Sequence, residues 1–74
     1  MDDIRNEVEA SLIEEHGLVS HNLKELQEHL SGFPDELAKG MYYTYVKTVR
    51  AQIGYMYGYK QALEVRAKRL EVEL

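Results

Sequence analysis

From Pro34 to Leu74 the chain carries no further proline, and apolar residues recur there at alternating steps of three and four. Val46, Ile53, Lys60, Ala67 and Leu74 take the a positions of a heptad; Tyr42, Val49, Met56, Leu63 and Leu70 take the d positions. A sustained a/d seam is the signature of a helix that commits one face to another helix. Only Lys60 interrupts it with a charge. Pro34 suits a first helical position, and Asp35 and Glu36 follow where the helix dipole favours acids. Read without a break, this helix spans 34–72 and is about 58 Å long at 1.5 Å per residue. The segment Met41–Val49 also has a strand-like composition, but no turn chemistry joins it to a second strand, so the helical reading stands.

Two shorter helices precede it. In 2–16, Ile4, Val8 and Leu12 recur every fourth residue, with Asp2 and Asp3 at the positive end of the dipole. Gly17 is placed to end that helix in the left-handed conformation, with Leu18 reaching back to Ile13. His16, just before it, suits a helix C-terminus as a cation. Ser20 is the natural N-cap of the next helix, 20–31, whose Leu23, Leu26, Leu30 and Phe33 form a narrow stripe. Short connections make these helices antiparallel neighbours of the long one. Two such stubs cover only its beginning, which leaves everything from about Ile53 onward without a partner in its own chain.

The middle of the long helix is odd in composition. Residues 40–47 read GMYYTYVK and 54–61 read GYMYGYKQ, an offset of two heptads that puts Gly40 over Gly54, Tyr43 over Tyr57 and Tyr45 over Tyr59. The last two pairs flank the seam, which suits a broad contact face, with Tyr42, Tyr45 and Tyr59 toward the core and Tyr55 the most exposed. Each interior glycine costs about 1 kcal/mol against alanine. Close approach of a second backbone at Gly54 and Gly58 compensates for that cost; a kink at either glycine, folding the tail back, is the competing explanation.

Composition limits what such a chain does. With no cysteine there is neither a disulfide nor a thiolate zinc site. His21, Glu25 and His29 are spaced by four and present a metal-capable trio, but an exposed polar face opposite the leucines predicts the same residues. No nucleophile elbow, phosphate loop or dinucleotide fingerprint occurs, so no enzyme and no cofactor is expected. Lys47 and Arg50 break the least charged window, which argues against a membrane span. Asp2-Asp3 after Met1 does not read as a signal peptide, so a cytoplasmic location is expected. The net charge of −4 hides a division: residues 1–36 hold ten acids against Arg5 and Lys24, whereas residues 37–74 hold seven bases against three acids.

These readings predict an all-α protein: two short N-terminal helices packed on one long C-terminal helix, in an oligomeric helical bundle. The expected function is non-catalytic, a small assembly, adaptor or inhibitor protein that works by protein–protein contact and binds further copies of itself. The expected self-association interface is Tyr42, Val46, Val49, Ile53, Gly54, Met56, Tyr57, Gly58, Leu63 and Leu70. Tyr55, Arg66, Lys68 and Arg69 form a candidate surface for another partner. The alternative reading is a nucleic-acid-associated regulator using that basic helix end, or an acidic mimic of nucleic acid that blocks a basic groove on its target.

Overall fold

The computed structural model describes residues 2–74, with side chains from residue 3 onward. It is all-helical among those residues: α1 spans Asp2–Ser31, α2 Asp35–Lys39 and α3 Tyr43–Arg69. α1 and α3 run antiparallel along their full length, and the single-turn α2 lies against the start of α3. The result is a rod of 55 × 15 × 14 Å.

The expected break at Gly17 does not occur; α1 passes straight through it. The reason is the wider pattern. Leu12, His16, Val19, Leu23, Leu26 and Leu30 continue the three–four alternation across the glycine, so ending the helix there would remove half of the face that packs on α3. Gly17 has a helical φ, and a Cβ there would meet nothing within 4 Å. Ser20 is therefore interior rather than a cap, and its buried Oγ has no hydrogen-bond partner. His16 is likewise mid-helix, and Ile13 and Leu18 are both exposed instead of closing a helix end.

The Ile4–Val8–Leu12 stripe is also reassigned. Steps of four residues advance 400° on a wheel of 100° per residue, so such a stripe walks around the helix by about 40° per step. Leu12 is 1 % exposed, but Ile4 is 68 % exposed. At the open end of the rod the seam passes instead through Arg5 and Glu9, which bond to each other at 3.2 Å, while Arg5 also donates to the Leu70 carbonyl oxygen.

The long helix is shorter than its sequence suggests at both ends. α2 stops at Lys39, and the chain reverses through Gly40–Tyr42 before α3 begins. A Cβ on Gly40 would lie 3.1 Å from the Glu36 carbonyl oxygen, which makes this a position where glycine answers a tight approach. Phe33 packs edge-on against His29 and Tyr42 and tilted against Tyr45, and this cluster seals the reversal. At the far end α3 stops at Arg69 with Glu71 in the left-handed region, φ 57°. The Glu71 amide donates to the Lys68 carbonyl at 3.2 Å and the Val72 amide to the Ala67 carbonyl at 2.8 Å. That is a complete Schellman stop built without glycine, and Val72 adds the apolar contact that accompanies it.

The interior is a single row of side chains. Leu12, Val19, Leu63 and Ala67 form one cluster toward the open end, and Leu23, Val46 and Val49 are buried nearer the turn. The segment of α3 beyond Ile53, expected to lack a partner in its own chain, is thus covered by the N-terminal half of α1. α3 is continuous through Gly54 and Gly58, so neither glycine folds the tail back on the chain.

Candidate functional site

The seam of α3 faces α1. Val46, Val49 and Leu63 are buried there, Leu63 at 0 % exposure, and Ile53, Met56 and Lys60 are half-buried. Tyr42 and Leu70 lie at the two ends of the seam, where the contact with α1 thins and both side chains stay exposed. Gly54 and Gly58 lie on the back of α3, and a Cβ on either would meet nothing within 4 Å.

No tyrosine is buried. A two-helix rod has no interior deep enough for the rings, and a phenol hydroxyl near apolar surface needs a partner. The rings therefore lie along the rim of the seam and reach across to polar residues of α1. The Tyr59 hydroxyl donates to Glu15 Oε2 at 2.7 Å, Gln27 Nε2 donates to the Tyr57 hydroxyl at 2.9 Å, and Tyr45 meets His29 Nε2 at 2.8 Å. Tyr42 and Tyr45, like Tyr59, are thus rim residues rather than core. The Glu15 carboxylate, by accepting a hydrogen bond from the Tyr59 hydroxyl, holds that phenol above its ordinary value; partial desolvation and the charge of Glu15 push the same way. His16 pairs with Glu64 across the helices at 3.1 Å, which places a polar layer midway along the rod. His29 is turned to Tyr45 while His21 pairs with Glu25 at 3.0 Å, so the three do not converge on one point. Among the described residues no three His, Cys, Asp or Glu side chains gather as a metal site, and no helix is long and apolar enough to cross a membrane.

Tyr55 stands 80 % exposed on α3, free of the rim contacts that hold Tyr45, Tyr57 and Tyr59. Arg66, Lys68 and Arg69 occupy the last turn of α3. At 100° per residue Arg66 and Arg69 share one side of the helix and Lys68 turns to another, so the three form no single patch. With Glu64, Glu71 and Glu73 close by in sequence, the end of the rod is mixed in sign.

One long side of the hairpin is unlike the rest. Two shallow depressions, one lined by Glu15, Leu18, Val19, Asn22, Met56 and Tyr59 and the next by Asn22, Glu25, Leu26, His29, Gln52 and Met56, share residues and form one groove between α1 and α3. Helical spacing puts Ile4 and Val8 on the α1 bank of this groove and Tyr55 and Ala62 on the α3 bank. Leu18 is 57 % exposed on it. The sequence carried one signal for this face: the Ile4–Val8 stripe that drifts off the heptad. No protein-family model, curated protein or solved structure matches the chain. The molecule belongs to the structural class of antiparallel helical hairpins.

Proposed function

We propose that this chain is a non-catalytic interaction module, a small assembly, adaptor or inhibitor protein that works through a helical surface and associates with further copies of itself. One observation carries the reading. The chain exposes 5997 Å², whereas a compact monomer of 8.6 kDa exposes about 4,700 Å². The surplus, about 1,300 Å², is of the order that a specific interface removes, roughly 800 Å² from each partner. Much of it is apolar: Ile4, Ile13, Leu18, Tyr55, Val65 and Leu70 all stand outside. A two-helix rod with seven buried side chains among the described residues is thin support for an independent fold, and two hairpins side by side make the ordinary four-helix bundle.

The seam of α3 is already occupied by α1, so the association uses the flanks of the hairpin. That leaves Val46, Val49 and Leu63 as intramolecular contacts and puts Met56 and Tyr55 at the partner's disposal. Sedimentation equilibrium from micromolar to millimolar protein tests the reading. The expected mass is a multiple of 8.6 kDa; a constant monomer mass over that whole range refutes it.

A further inference from the structure

We infer that the second copy docks on the Leu18–Tyr55 side of the hairpin, with α1 of each chain against α3 of the other and both turns at the same end. This rests on the self-association proposed above and specifies its geometry. Charge selects it. α1 carries eight acids against Arg5 and Lys24, a net −6, and α3 carries six bases against Glu64, a net +5. The two helices lie side by side, so each hairpin has one edge of net negative and one of net positive charge. Two copies meeting face to face about a two-fold axis have two choices. An axis across the rod sets α1 on α1 and α3 on α3, so helices of like net charge oppose each other. An axis parallel to the rod sets α1 on α3 at both contacts, so opposite charges meet twice.

The residues agree in level as well as in sign. Within the chain, Glu15 is level with Tyr59 and Arg5 with Leu70, as their hydrogen bonds show. Rotation about the long axis preserves level. Leu18 of one copy therefore comes beside Tyr55 and Tyr59 of the other, an aliphatic residue against two aromatic rings. Glu7 comes level with Arg66 and Arg69. Gly54 and Gly58, on the back of α3, stay outside this contact.

The absence of cysteine makes the test simple. Met41, 87 % exposed at the turn, is replaced by cysteine and spin-labelled, and the distance between labels is measured by double electron–electron resonance. With neighbouring helix axes about 10 Å apart, the parallel arrangement places two labels on the same tip within roughly 30 Å. A dimer whose labels lie near the full 55 Å length of the rod overturns this pairing while leaving self-association intact. Monomeric protein with no dipolar signal removes both. As a second measurement, Leu18→Glu should raise the dimer dissociation constant at least tenfold, because it puts a carboxylate where the contact buries a leucine. Ile13→Glu, exposed on the opposite side of α1, should leave it unchanged. Equal effects of the two variants overturn the choice of face.

Discussion

Replacing Gly17 and Ser20 by alanine, singly, asks whether α1 is one helix or two, because each substitution changes sign between the two cases. In the continuous helix Gly17 has a helical backbone and open space around its absent Cβ. Alanine then gains roughly 0.8 kcal/mol from helix propensity and reduced freedom of the unfolded chain. Unfolding entropy near 2.1 cal/mol/K per residue is about 0.16 kcal/mol/K for a chain of this length, so the melting temperature should rise by about 5 °C. Were Gly17 a left-handed helix terminus, alanine would instead cost about 1 kcal/mol and lower the melting temperature by about 6 °C. Ser20 behaves in parallel. Its Oγ is buried without a partner, so alanine removes an unsatisfied group and should stabilise by about 1 kcal/mol; as an N-cap, its loss would destabilise by a similar amount. Circular dichroism at 222 nm during thermal unfolding reads both, at matched protein concentration because association shifts the midpoint. Destabilisation by both alanines would refute the continuous helix.

Other consequences follow from particular contacts. Leu63→Ala, at the most deeply buried side chain, should cost about 3 kcal/mol and lower the melting temperature by roughly 12–24 °C; a loss under about 1 kcal/mol contradicts the α1–α3 pairing. Glu71→Gly should stabilise by about 1 kcal/mol, since glycine takes the left-handed stop at less cost; chemical denaturation measures the gain. Because the folded state holds the Tyr59 proton more tightly than the ordinary value of 10.0, the Tyr59–Glu15 bond contributes fully below pH 10 and is lost as pH climbs through the higher folded value. Absorbance titration at 295 nm should show a late-ionising Tyr59 component that disappears in Tyr59→Phe and in Glu15→Gln. Gly58→Ala should raise the melting temperature and leave self-association unchanged; weakened association there would mean that the back of α3 is the contact.

Much of the architecture was visible in residue spacing. The seam from Val46 to Ala67 is the face of α3 that meets α1, and Leu23, Leu26 and Leu30 form part of the answering stripe. What spacing did not disclose was who answers whom. Gly17 and Ser20 offer good local stop and start chemistry, and a reading residue by residue accepts it. The hairpin overrides them because uninterrupted packing over seven turns outweighs a local preference of about 1 kcal/mol. The same override hides the end of α3: a Schellman stop is recognised by glycine, and Glu71 takes that place. The candidate docking face was harder to read. Ile4 and Val8 look like core until the heptad through Arg5 and Leu12 is known, and only then do they become outward residues. The tyrosines were legible as flanking positions but not as hydrogen-bonding groups, since Glu15, Gln27 and His29 lie far from them in sequence.

The bond from Arg5 to the Leu70 carbonyl brings the beginning and the end of the chain to the same pole, opposite the turn. Anything joined to either terminus gathers at that pole and leaves the Met41 tip unencumbered. A duplicated copy of the chain would need only a short connector if its two rods stood with their turns together. A far longer one would be required if they lay head to tail. Gene fusion with a graded series of connectors thus measures orientation without any label.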